Sequence, residues 1–106
     1  MQTLKTWKEK STFSYTGCVK QGTKIVYGRK SPPKFISATQ YAKLLNHFRG
    51  HIVDIGTSRD NRPPGSVGEW LQQSKVTKIA IASYVGPILI AERYAEKAGG
   101  SKIRFL

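Results

Sequence analysis

The chain has 106 residues, 18 of them Lys or Arg and 6 Asp or Glu, for a formal charge of +12. A domain of that length builds one modest core and has no room for a large enclosed active site together with a cofactor fold. No apolar run approaches the about 18–20 residues of a membrane-spanning helix, the first ten residues lack the apolar segment of a signal peptide, and neither a basic amphipathic helix nor a lipidation motif marks a membrane-surface protein.

The charge is uneven. Residues 1–53 hold ten basic residues and one acid, residues 54–106 eight and five, and between Lys10 and Val53 there is no acid at all. A long single-sign segment of this kind suits a polyanionic partner. The lone cysteine, Cys18, can make neither an internal disulfide nor a cysteine-based zinc site. It fits a reducing compartment, cytoplasmic or nucleoid/nuclear.

In chain order, Trp7 lies outside any clear element and is a candidate for an interaction surface. Residues 12–29 read as a basic β-hairpin. Phe13, Tyr15, Gly17 and Val19 alternate with Thr12, Ser14, Thr16 and Cys18, the period of a strand. Lys20-Gln21-Gly22-Thr23 makes a turn in which Gly22 takes positive φ, and residues 24–29 return. Ser31-Pro32-Pro33-Lys34 breaks the pattern. Ser37 then opens a helix with a capping box to Gln40, and Ile36 and Tyr41 are spaced for a hydrophobic staple. Tyr41, Leu44, Leu45 and Phe48 share one helical face, and Gly50 stops the helix.

Residues 51–55 read as a short strand and 56–65 as a loop. A second capping box, Ser66 with Glu69, opens a short helix whose inner side carries Val67, Trp70 and Leu71. Thr77 caps a third helix reaching about Glu92, with Ile81, Tyr84, Val85, Ile88 and Leu89 at helical spacing. Pro87 predicts a kink or break at Gly86-Pro87. Residues 94–97 could extend that helix, but Gly99-Gly100 followed by Lys102-Ile103-Arg104-Phe105 reads better as a second hairpin.

Residues 37–106 thus run helix, strand, loop, helix, turn, helix, hairpin. That order resembles a winged helix-turn-helix DNA-binding domain. It is a likeness of pattern, from which Pro87 departs. The expected fold is α+β: one domain over 1–106, a small winged-helix-like core at 37–106 preceded by the hairpin 12–29. The resemblance implies double-stranded DNA as the partner, a recognition helix from Thr77 and a wing over 94–105.

The residues themselves supply candidate contacts. Lys20, Lys24, Arg29, Lys30 and Lys34 form a basic footprint on the first hairpin and just beyond it. Arg59, Asn61 and Arg62 precede the helix opened by Ser66, where free amides and hydroxyls suit phosphate oxygens. Lys75, Thr77, Lys78 and Ser83 are the few polar groups of the third helix, and Lys97, Lys102 and Arg104 flank the wing turn. So sparse a set of base-edge readers predicts phosphate-dominated binding with weak sequence preference.

Phe13, Tyr15 and Tyr27 interleave with basic residues in a way that also suits single strands, although core packing is the simpler role for these rings. RNA binding, including a ribosome-associated role, stays open, as does a protein-interaction module or a homodimer. A small nuclease or metal site at His47, His51, Asp54 and Asp60 lacks a supporting motif. The expectation is a binding protein without catalytic residues, metal or cofactor.

Overall fold

The computed structural model describes residues 1–28, 32–58, 63–73 and 81–106. It is α+β. Strands β1 (Gln2–Lys5), β2 (Thr12–Cys18), β3 (Gly22–Val26) and β4 (Lys34–Ser37) form an antiparallel sheet in that order. Helix α1 (Ala38–Phe48), strand β5 (Ile52–Asp54), helices α2 (Val67–Gln73) and α3 (Ala82–Ala91), and strands β6 (Ala95–Lys97) and β7 (Lys102–Phe105) follow. The last three strands form a second antiparallel sheet, ordered β5–β7–β6.

The alternation in β2 settles its faces as the sequence predicts. Phe13 and Tyr15 are buried, and Tyr27, half-buried beyond β3, stacks on Tyr84 at 4.9 Å. These rings serve the core. Two strands flank the predicted hairpin and were not expected. β1 has one apolar residue, Leu4, and β4 begins directly after Pro33, where a proline does not interrupt the ladder.

α1 follows its sequence signals closely. The Gln40 N–H donates to Ser37 Oγ at 3.1 Å and the Ser37 N–H to Gln40 Oε1 at 2.8 Å. Tyr41, Leu44 and Phe48 are buried, and the Tyr41 hydroxyl pairs with Thr23 Oγ1 at 2.7 Å inside the core. At α2 the Glu69 N–H donates to Ser66 Oγ at 3.1 Å, while the Glu69 carboxylate accepts from the Gly65 N–H at 3.0 Å. The second hairpin is present. Arg93 takes φ 66, ending the helix before it can extend through Tyr94.

Two expectations are corrected together. Trp7 is a core residue, 2% exposed, and α3 runs through Pro87 without a break. A proline at 87 cannot donate to the carbonyl of Ser83, four residues back. That carbonyl accepts the Trp7 backbone N–H instead, at 2.9 Å. The indole lies against Gly86, where an added Cβ would stand 2.7 Å from Trp7 Cε3, and its Nε1 donates to the Gly100 carbonyl at 2.8 Å. Gly86-Pro87 is therefore a docking notch for the N-terminal arm. The Thr77 cap lies outside the described residues.

One hydrophobic cluster joins both halves, from Trp7 and Phe13 through Tyr41 and Val85 to Phe105. Glu92 adds a polar tie, its carboxylate accepting the Tyr15 hydroxyl and the Val19 N–H, each at 2.9 Å. No helix among the described residues is long and apolar enough to cross a membrane.

Candidate nucleic-acid interface

The two sheet faces divide the labour in the N-terminal half. Inward go Phe13, Tyr15, Thr23, Ile25 and Ile36, all buried. Outward, by the same alternation, go Thr3 and Lys5, then Thr12, Ser14, Thr16 and Cys18, then Lys24 and Val26, then Phe35. This face carries hydroxyls, two lysines and one large ring, and no carboxylate.

Register builds its centre. Thr16 pairs with Lys24, and Lys24 with Phe35, giving a row across β2, β3 and β4. Residues directly opposed in a ladder hold their Cβ atoms about 4.5–5.5 Å apart. Beside the row runs a groove of about 570 Å³, lined in part by Thr16, Gln21, Lys24, Phe35, Ser37 and Gln40 and by the side-chain-free Gly17 and Gly22. Both glycines have positive φ, 87° and 99°, so the β2–β3 connection turns without placing side chains over the groove. Lys20, exposed on this turn, also lines a second groove of about 340 Å³ against α1, with Asn46, Arg49 and Tyr94.

Of the residues singled out in sequence, Lys24 lies on this face and Lys20 lines the second groove, both exposed, while Lys34 is half-buried at the start of β4. Arg29, Lys30, Arg59, Asn61, Arg62, Lys75, Thr77 and Lys78 lie outside the described residues. The others have internal duties. Ser66 is buried as the cap of α2 and packs against Gly56. Ser83 is half-buried, its carbonyl taken by Trp7. Lys97 Nζ donates to the Trp7 carbonyl at 3.2 Å and sits 4.9 Å from the centre of its ring.

Lys102 pairs with Asp54 at 3.3 Å and Arg104 with Glu96 at 3.1 Å, both bridges between directly opposed residues. α3 is apolar nearly all round, and Phe13, Tyr27 and Trp7 cover it from the N-terminal half. Such a helix is a core element.

The group sequence reasoning missed is Phe35. The signal was present, since Ile36, assigned inward as a staple residue, requires the next residue along an extended chain to point outward. His47 packs on Phe48 and Trp70, Asp60 lies outside the described residues, and no three His, Cys, Asp or Glu side chains converge on a metal-sized site among those described.

Burial, then the Glu92 hydrogen bond, pushes the Tyr15 phenol up to about 12. Burial raises Tyr41 as well. Both phenols belong to the core rather than to the basic face. No protein-family model matches the chain, and no curated protein or solved structure shows significant similarity to it.

Proposed function

We propose that the protein binds nucleic acid, gripping the sugar-phosphate backbone with exposed cations of its acid-free segment and showing weak sequence preference. The observation that carries this reading is the fate of the carboxylates. Of the five described side-chain carboxylates, Glu92 and Glu69 are spent on hydroxyl and amide donors and Asp54 and Glu96 on cross-strand bridges, which leaves Glu9 exposed in the turn after β1. Among the described residues only Lys102 and Arg104 pair with a carboxylate. Lys5, Lys20, Lys24, Lys43 and Arg49 are exposed, and none of them pairs with a carboxylate. Such a field attracts a polyanion and gains affinity by releasing its counterions.

A second reading, duplex DNA docked as on a winged helix, draws on one feature of residues 37–106. The hairpin β6–β7 closes onto β5, the strand between α1 and α2, so a wing would sit on the helical half. In that mode the contacts fall to the loop before Ser66 and to Lys75, Thr77 and Lys78, which lie outside the described residues, since α3 is covered by the N-terminal half.

The test is fluorescence anisotropy with duplex DNA, single-stranded DNA and duplex RNA over a range of salt. If eight phosphates of a duplex are neutralised, log affinity falls against log salt with a slope of about −7. Replacing Lys20 and Lys24 by alanine should weaken binding to every nucleic acid tested and make the slope shallower by about 2. A wild-type slope shallower than about −2, or no binding to any of the three, overturns the proposal.

A further inference from the structure

We infer that the outer face of the four-stranded sheet is a platform for single-stranded nucleic acid, on which an unpaired base stacks against Phe35 while Lys24 holds an adjacent phosphate. The inference rests on the nucleic-acid reading above and names the partner class of the basic face. Its starting point is an apolar group left in water. Phe35 is 67% exposed, and it is the one aromatic among the exposed large hydrophobic residues described. A side chain of this kind gains free energy on losing contact with water, and no part of the described chain covers it.

The surroundings say what does. Directly across the ladder stands Lys24, with Thr16 beyond it. A ring, an ammonium and a hydroxyl in one row match the three parts of a nucleotide: base face, phosphate and sugar edge. The groove alongside is open over Gly17 and Gly22, and Gln21 on its rim offers an amide to a base edge. Toward β1 the face continues as Ser14, Thr3, Thr12 and Lys5, again with no carboxylate to repel a backbone. Across three strand spacings of about 4.8 Å the platform is about 14 Å wide. RNA-recognition modules also present exposed rings on a four-stranded sheet to two or three bases. This sheet is a plain meander with one ring, so the likeness is one of surface chemistry.

The geometry favours a single strand over a duplex for a physical reason. A ring can stack only where a base face is free, and inside a duplex every face is already stacked. The lysines serve both partners, and Phe35 serves only one.

The experiment is anisotropy with labelled twelve-residue oligo(U) and oligo(dT) and a twelve-base-pair duplex, on the full chain and on Phe35→Ala, Phe35→Trp and Lys24→Ala. Removing a stacking ring weakens single-strand binding by roughly 5- to 150-fold. Phe35→Ala should therefore weaken oligo(U) and oligo(dT) binding in that range, leave duplex affinity within about twofold and leave the salt slope unchanged, while Phe35→Trp restores or tightens binding. Lys24→Ala should weaken single strands and duplex alike and make the slope shallower by about 1. Tighter oligo(U) than oligo(dT) identifies RNA as the source of the strand, and equal affinity a sugar-blind platform, both consistent with the inference. Unchanged single-strand affinity in Phe35→Ala, with salt-dependent binding intact, overturns the platform and leaves the nucleic-acid reading standing. Binding of none of the three probes by the wild type overturns both. In that case, capture of a labelled acidic peptide by wild type but not by Phe35→Ala would assign the face to a protein partner.

Discussion

Trp7 and Gly86 should report on each other's presence through a change of sign. Alanine is better than glycine inside a helix by about 1 kcal/mol, so Gly86→Ala in a bare α3 would stabilise the protein. Here the new Cβ would stand 2.7 and 3.1 Å from two indole carbons and 3.0 Å from Ile55 Cδ1. The indole cannot easily move aside, because Nε1 is held by the Gly100 carbonyl and the Trp7 backbone by Ser83. Overpacking of this kind costs about 1–3 kcal/mol. The net effect of Gly86→Ala is then a loss of up to about 2 kcal/mol once the helix gain is subtracted.

Trp7→Ala alone removes a buried aromatic and should cost about 3–5 kcal/mol. In that background Gly86→Ala should instead recover about 1 kcal/mol, since only the movable end of Ile55 remains in its way. Urea unfolding followed by far-ultraviolet circular dichroism measures all four corners of the cycle, with Trp7→Leu in place of Trp7→Ala if the latter is too unstable. If Gly86→Ala destabilises equally with and without the indole, the notch is not what fixes glycine at this position.

Three further outcomes can be measured on the same footing. Tyr41→Phe strands the buried Thr23 hydroxyl and should cost about 1–3 kcal/mol in urea unfolding, whereas Tyr41→Phe with Thr23→Val should recover most of it. The Tyr15 phenol is favoured neutral in the fold, at about 12 against an ordinary 10. Its contribution is therefore complete below pH 10 and lost as pH rises toward 12, so a Tm series over that window should fall more steeply for wild type than for Tyr15→Phe. Glu96→Gln breaks a half-exposed bridge to Arg104 and should change stability by less than about 1 kcal/mol, while the freed guanidinium raises duplex affinity at low salt in the anisotropy assay.

What could be read in advance depended on how far apart the interacting residues lie in the chain. The Ser37–Gln40 capping box and the apolar face of α1 need a window of a dozen residues, and they appear as read. The β2–β3 hairpin carries its own alternation and turn glycine. β1 had no comparable local signal, because Gln2, Thr3 and Lys5 are polar and its strand identity comes from pairing with β2. The break read at Gly86-Pro87 is absent for the same reason. A proline's orphaned carbonyl is a break only if nothing else donates to it, and the donor is at residue 7.

The site behaved likewise. Composition marked Lys20 and Lys24 as exposed cations, but cross-strand register decides that Lys102 and Arg104 face carboxylates. It also decides that Lys24 faces a ring.

The union of Trp7 with Ser83 and Gly100 has a consequence for biosynthesis. The indole and its acceptor carbonyl are 93 residues apart, and bringing together ends that distant carries a loop-closure entropy of about 4 kcal/mol beyond the constant term. At about 5–20 residues per second, residue 7 leaves the ribosome several seconds before residue 100 is made. Until Gly86 and the Gly100 carbonyl are made, the indole has no notch to enter. A pulse of protease during translation should accordingly cut on either side of Trp7 in ribosome-bound chains that lack α3, and spare those bonds in the finished protein, where Thr6 and Trp7 are buried.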